Sequence, residues 1–418
     1  MVKGNKETEI GFIPSDWDVK KIEPDVGIVK SGKRLPKGNF LSDIPNLHPY
    51  IRVVDMMMGR IDESDIKYVP EEVADIIKQY KIYDDDVYIS VAGTLGIVGK
   101  IPSRLNGANL TENANKITNI KCNQDYLMYW LMSDYIRRQI DSTQTIGAQP
   151  KLALERIRDF LVPLPSFEEQ NKIAEVLKDT DVLINALEKE VEKKKNIKYG
   201  VLQKLITGEE RLEGYSDEWV SINMAKKSKL KARIGWQGLT TAEYLNLGYS
   251  YLVTGTDFVD GHIDWENCHF VTADRYYQDS NIQLTNGDVL ITKDGTIGKV
   301  ALVDNLTKPA TLNSGVFVVR PINHVYSTRF LYYVLESRVF RDFLDMLSAG
   351  STIVHLYQKD LVNFSFMAPS TIEEQEAIAD IIYDLDCEVR KLEEKLCKYQ
   401  KIKQGMMSDL LTGKIRLV

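Results

Sequence analysis

The sequence predicts an α+β chain made of two tandem strand-rich domains separated by two long helices, which pair as an antiparallel coiled coil in a pseudo-twofold internal repeat. Three observations predict it. The chain repeats itself at a nearly constant offset; each repeat ends in a helical apolar stripe without proline; and each begins with short β-rich segments bounded by turn residues.

The repeat is visible as matched strings. DMMMGRID (55–62) resembles DFVDGHID (257–264), and DVYISVAGTLG (86–96) resembles DVLITKDGTIG (288–298), both at an offset of 202. DYLMYWLMS (125–133) matches RFLYYVLES (329–337) at 204, with Leu127 against Leu331 and Tyr129 against Tyr333. EEQNKIAEVLKDTD (168–181) matches EEQEAIADIIYDLD (373–386), and LITGEERL (205–212) matches LLTGKIRL (410–417), both at 205. So small a drift means tandem duplication with few insertions. The expected segments are a globular unit over 1–163, a long helix over 164–208, a second globular unit over 209–366 and a second helix over 367–418.

In the first helix Ile173, Leu177, Thr180, Ile184, Leu187 and Val191 alternate spacings of four and three; in the second, Ile378, Ile382, Leu385, Val389, Leu392 and Leu396 do the same. A 3.5-residue repeat with charges between marks a helix that packs on another along a narrow seam. Pro165 and Pro369 precede the runs and Gly208 and Gly413 follow them, as helix start and stop require. About 38 residues at 1.5 Å per residue give a helix roughly 57 Å long. One stripe alone would leave its apolar face in water, and the other supplies the partner. Antiparallel pairing then places the two globular units at opposite ends. The register passes through Lys194, Lys198 and Lys403, where the seam turns polar and another subunit has a place to dock. In the competing arrangement each helix folds back on its own domain.

In the second globular unit, 249–258, 287–295, 298–303 and 315–321 read as strands; in the first, 50–55, 85–93 and 96–101 do. Helices are expected over 71–79, 124–140 and 326–346. This mixture is α+β rather than a wound parallel sheet.

Catalytic signatures fail on inspection. GTLGIVGKI (93–101) and DGTIGKVAL (294–302) have glycines like a phosphate-binding loop, but Lys100 precedes Ile101 and the spacing differs from G-x-x-x-x-G-K-[ST]. Lying between strand patterns, they read as tight turns. No G-x-S-x-G or H-E-x-x-H occurs, nor the Asn/Asp-Pro-Pro-Tyr string of amino-methyltransferases. Glu168-Glu169 and Glu373-Glu374 sit in first helical turns, where acids suit the macrodipole. The four cysteines, Cys122, Cys268, Cys387 and Cys397, contain no C-x-x-C, and with five histidines no zinc spacing assembles. They read as reduced, mostly buried thiols, and no metal or cofactor is expected in this chain.

Composition is that of an ordinary soluble protein, with no secretory h-region and no apolar run near the ~18 residues of a membrane span, so the expected location is the cytoplasm. The net charge is −7, yet its distribution is uneven. Between Asp25 and Asp43 no acid occurs, while Lys30, Lys33, Arg34 and Lys37 fall beside Gly32, Pro36 and Asn39. Between Glu218 and Glu243 no acid occurs, while Lys226, Lys227, Lys229, Lys231 and Arg233 are followed by Trp236, Gln237 and Thr240. Both windows stand near the start of a repeat. Lysine and arginine neutralise phosphates, and Arg, Gln and Asn can pair bidentately with base edges. The candidate DNA-binding residues are therefore Lys30, Lys33, Arg34, Lys37, Asn39, Lys229, Lys231, Arg233, Trp236, Gln237 and Thr240, with Lys293 from the second glycine turn. The windows correspond in place but differ in residues, so two readers on one scaffold would recognise different half-sites.

GFIPSDW (11–17) and GYSDEW (214–219), the paired helix starts PSFEEQNKIA and PSTIEEQEAIA, the paired helix ends LITGEERL and LLTGKIRL, and RIGWQGLT (233–240) together resemble the specificity (S) subunit of a type I restriction–modification system, over essentially the whole chain. The string FMAPSTIEEQ departs from the more usual proline-rich run before the second EEQ. The resemblance implies that the globular units are target-recognition domains for a bipartite, asymmetric sequence in double-stranded DNA. It implies that the helices set the spacer and dock two methyltransferase (M) subunits, with restriction (R) subunits joining for cleavage. S-adenosylmethionine, ATP and Mg would belong to those partners, and this chain would be a non-catalytic subunit. The alternatives from the residues alone are a coiled-coil adaptor that holds two protein partners without DNA, and an enzyme with an unrecognised site.

Overall fold

The computed structural model describes residues 4–142, 151–234, 238–348 and 355–417. The chain is α+β, and it divides into two compact units, Met1–Glu188 with Glu394–Val418 and Lys189–Glu393. Each unit thus takes the first part of one long helix and the last part of the other. The two helices are Phe167–Thr207 and Ile372–Leu411.

In the first unit a four-stranded antiparallel sheet runs in the order Val98–Gly99, Val87–Ser90, Ala114–Thr118, Ile28–Ser31. A second sheet has the order Lys67–Tyr68, Pro49–Ile51, Ala108–Leu110, Lys81–Ile82, and its middle pair is parallel. The second unit repeats the plan with Ser228–Lys231, Val316–Pro321, Val289–Thr292 and Val300–Leu302. Its smaller sheet, His269–Val271, Ser250–Val253 and Ala310–Leu312, again holds one parallel pair. The central strands are buried along their length because helices and the second sheet cover both faces, which is why they read as continuous β-branched runs.

The strands are shorter than their apolar runs, and the helix expected over 124–140 is two helices, Gln124–Leu131 and Asp134–Asp141. Likewise 326–346 divides into Thr328–Glu336 and Arg338–Ser348. In the second copy the break is at Ser337, whose backbone is extended and whose hydroxyl donates to the Val334 carbonyl (2.6 Å) and accepts from Val339 N–H (3.2 Å). A serine that bonds its own backbone stops the ladder although the apolar period continues across it.

Both helix arrangements weighed from the sequence hold in part. In the first unit Ile173 and Leu177 enter a core made by Trp17, Val87, Tyr126 and Trp130, and Leu410 and Leu411 of the second helix enter the same core. In the second unit Ile378 and Ile382 share a core with Leu202, Leu205 and Ile206. Ile184, Leu187, Val191 and Val389 are buried, whereas Leu385, Leu392 and Leu396 are only partly so. Pairing is antiparallel within each unit. In the first, Glu169 meets Arg416 and Asp181 meets Lys403; in the second, Lys198 meets Asp386 and Arg211 meets Glu374.

The polar positions of the seam are occupied by the partner helix. Lys194 pairs with Glu388 and the adjacent Lys195 with Glu393, both at 2.6 Å, while Lys198 pairs with Asp386 and Lys403 with Asp181 (2.5 Å). These lysines hold the helices to each other, which leaves them little free charge for an outside subunit. Asp181 also accepts from the Tyr129 hydroxyl at 2.8 Å, and Asp386 from Tyr333 at 2.9 Å, so each Tyr–Asp–Lys triad ties a domain helix to both long helices.

The paired strings at helix starts and ends form one clamp, built twice. Arg416 donates from Nη2 (2.7 Å) to Glu169 and lies 5.5 Å from the centre of the Trp17 ring. Arg211 holds Glu374 at 2.9 and 3.0 Å and lies 5.6 Å from Trp219. The next residue, Gln170, accepts from Asn123 N–H and donates to the Pro165 carbonyl; Gln375 does the same with Ser327 and Pro369. Gly208 and Gly413 end the helices at φ +71° and +70°, and a Cβ on Gly413 would lie 2.4 Å from Pro14. The glutamates are thus buried counter-ions as well as first-turn acids. FMAPSTIEEQ packs without disruption: Phe366–Pro369 continue a strand paired with Trp219–Ile222.

Of the four cysteines only Cys268 is buried; Cys122 and Cys387 are partly exposed and Cys397 is exposed, so the expectation of mostly buried thiols is corrected. Burial still pushes the Cys122 thiol up to about 12. Among the described residues no helix is long and apolar enough to cross a membrane.

Candidate nucleic-acid interface

In the first unit the basic window begins on the edge strand Ile28–Ser31, where Val29 is buried and Lys30 exposed. Gly32 then passes so close to the neighbouring chain that a Cβ would sit 2.0 Å from the Thr111 carbonyl oxygen. That approach lets Lys33 N–H donate to the Leu110 carbonyl (2.8 Å) and the Tyr50 hydroxyl donate to the Lys33 carbonyl (3.0 Å). The Lys33 ammonium stands 5.9 Å from the centre of the Tyr80 ring, and Arg34 pairs with Glu112 at 3.0 Å. Ser31–Arg34 line a groove together with Tyr80, Asn115 and Lys151. Lys37 is exposed, whereas Asn39 donates both its backbone N–H and its side-chain amide to the Pro36 carbonyl (3.1 and 3.2 Å). Its amide donor is engaged in a local turn.

In the second unit the strand Ser228–Lys231 alternates buried Ser228 and Leu230 with exposed Lys229 and Lys231, so the two lysines share a face. Arg233, expected to meet base edges, is only 2% exposed. Its Nε donates to the Leu312 carbonyl (2.8 Å) and its Nη2 to the Thr311 hydroxyl (3.2 Å). Burial, and then the neighbouring Arg275 charge, push its pKa below the ordinary arginine value. Trp236 and Gln237 lie outside the described residues. Thr240 caps a short turn, donating from its N–H and hydroxyl to Glu243 (2.9 and 3.0 Å), and Glu243 is held by Arg275. Lys293 is half-buried, 3.6 Å from Asp294 and 5.8 Å from the Phe317 ring centre. Asp294 also bonds His355 Nδ1 at 2.6 Å.

The structure therefore brings Lys33 and Arg34 to one groove, and Lys229 and Lys231 to one strand face, while Arg233, Asn39 and Thr240 donate to protein acceptors. Sequence reasoning missed Lys151 and its counterpart His355. Both bridge the glycine turns, at Ala92 and Asp294, and the constant offset of the repeat was the signal that could have paired them. The glycine turns are β-hairpins, as their place between strand patterns predicts. In the first, the Ser90 hydroxyl donates to the Thr94 carbonyl and accepts from Ile97 N–H; Thr292 repeats this with Thr296 and Lys299. Among the described residues no group of His, Cys, Asp and Glu could hold a metal ion.

The sequence profile of the type I restriction modification DNA specificity domain matches residues 14–199 and 241–403. A protein of Methanocaldococcus jannaschii named as the MjaX type I restriction enzyme specificity subunit is 23% identical over 436 residues, covering 99% of this chain and 96% of that one. The MjaVIII specificity subunit of the same organism is 24% identical, covering 97% and 94%. The crystal structure of a type I restriction–modification S subunit from M. genitalium shares the fold, with a TM-score of 0.58 at 16% identity, covering 94% of this chain and 96% of that chain.

Proposed function

The chain belongs to the type I restriction modification DNA specificity family, and from that premise we propose that each unit reads one half of a bipartite, asymmetric DNA target. The observation that carries this reading is the pair of acid-poor basic windows at equivalent places in two copies of one domain, with different residues in each. Lys30, Lys33, Arg34 and Lys37 serve one half-site, and Lys229, Lys231 and the segment through Trp236 and Gln237 serve the other. Lys293, from the second glycine turn, serves the second half-site as well. The long helices set the length of unread DNA between the halves.

The chain performs no chemistry itself in this reading. Two methyltransferase subunits bring S-adenosylmethionine and methylate adenine, and restriction subunits bring ATP and Mg for cleavage. The assembly works in the cytoplasm, where the DNA is. The docking surface for those subunits lies on helix faces other than the lysines already paired across the seam.

Mapping methylated adenines in the source genome tests the reading. The expected motif has two defined halves around a fixed unread spacer. Deleting seven residues in register from both helices should shorten the spacer and leave the halves intact. An adaptor without DNA function would give no such motif, and the purified chain would show no salt-sensitive affinity for duplex DNA.

A further inference from the structure

We propose that a rigid strap in each unit presents apolar side chains to thymine methyl groups, through Phe40, Ile44 and Leu47 in the first unit and Leu247 in the second. The inference rests on the DNA-reading function above and adds the kind of contact that discriminates bases.

The strap of the first unit follows the basic window and lies along Lys67–Tyr68, the edge of that unit's second sheet. Ser42 and Tyr68 exchange backbone hydrogen bonds (2.8 and 2.9 Å), and the Asn46 amide donates to the Val69 carbonyl (2.8 Å). Leu35 and Leu41 turn inward onto a cluster of Tyr50, Val69, Val73 and Ile77. With the backbone tethered and its inner leucines half-buried against that cluster, Phe40, Ile44 and Leu47 remain 84%, 76% and 87% exposed. The second unit repeats the anchor, since Leu245 and Phe270 exchange hydrogen bonds at 2.9 and 2.8 Å. Leu247 stands two residues after that anchor, as Ile44 stands two after Ser42, and is 78% exposed. Single exposed apolar residues are ordinary, but here the same place in both copies holds one on a tethered backbone.

Charge selects the occupant. Among the described residues no carboxylate lies within ion-pair distance of Lys30, Lys33 or Lys37, which lead into the first strap. The strap's own acid, Asp43, pairs with Lys67 (2.5 Å). In the second unit Lys229 and Lys231 lead in, and Glu243 is neutralised by Arg275. A cationic approach beside an apolar ridge, in a chain of net charge −7, fits a polyanion with apolar groups in its groove. The thymine 5-methyl is the apolar group of the major-groove edge.

The test uses the full chain assembled with its methyltransferase subunits and duplexes carrying the mapped target. Phe40→Ala and Ile44→Ser should lower the ratio of specific to random-duplex affinity about tenfold, at the first half-site only, with Leu247→Ser doing so at the second. Replacing thymine by uracil in one half should weaken the wild type about fourfold and the matching variant little further. Unchanged ratios in all three variants would overturn the inference, as would a wild type indifferent to uracil. So would variants that lose the methyltransferase subunits while keeping the DNA ratio, because the ridge would then be a protein contact. Absence of salt-sensitive DNA binding by the wild type would instead overturn the reading function itself.

Discussion

Trp17 donates its indole N–H to Glu169 at 3.2 Å, whereas Trp219, at the equivalent place in the second copy, finds no acceptor among the described residues. The clamp around these tryptophans is otherwise duplicated, with Arg416 serving Glu169 and Arg211 serving Glu374. Removing Arg416 strands a buried carboxylate. Arg416→Ala should destabilise the first unit by about 3 kcal/mol in urea unfolding, and replacing Arg416 and Glu169 together by apolar residues should recover most of the loss. Trp17→Phe should cost about 1 kcal/mol more than Trp219→Phe, the worth of one hydrogen bond.

Glu336 gives the second unit a pH signature. Burial pushes its carboxyl above the ordinary 4.5, and Asp386 adds to the rise while Lys198 opposes it. A carboxyl raised in the folded state favours folding most below its unfolded value, and that contribution is lost as pH climbs through the folded value. Glu336→Gln should therefore melt higher than wild type at neutral pH, with the two curves converging below pH ~4.5. Thermal melts of both proteins across that range check it. A constant difference at every pH would contradict it.

Arg233 is expected to act on stability, through Leu312 and Thr311, rather than on phosphate. Arg233→Ala leaves the Leu312 carbonyl and Thr311 hydroxyl without their donor and should cost about 1–3 kcal/mol of stability. Because the guanidinium is enclosed by protein, the salt slope of DNA binding should not change. A slope lower by about one would instead reveal a phosphate contact.

The exposed lysines should behave in the opposite way. Lys30→Ala, Lys33→Ala and Lys37→Ala should leave melting unchanged and weaken binding to all duplexes alike. Each phosphate contact removed lowers the salt slope by about one, read by fluorescence anisotropy over a salt series.

The repeat and the long helices were legible because the apolar period and the matched strings are local in sequence. Ile173 and Ile378 announce their role through spacing alone. The clamp was legible only as strings, since Trp17 meets Glu169 across 152 residues and Arg416 meets it across 247. The break at Ser337 was hidden because the apolar pattern runs through it. Arg233, Asn39 and Thr240 belong to basic or polar windows by composition, but burial or a two-residue turn engages their donors. Phe40, Ile44 and Leu47 escaped notice for the reverse reason: apolar residues suggest a core, and only the folded strap shows them turned to water.

Since Glu394–Val418 belongs to the same compact unit as Met1–Glu188, losing the later segment strikes the earlier unit. Truncation after residue 393 would deprive that unit of Leu410, Leu411 and Arg416 while sparing every residue of the other. Such a product would be expected to lose its grip on the first half-site before the second, although the lesion lies nearer the second in the coding sequence.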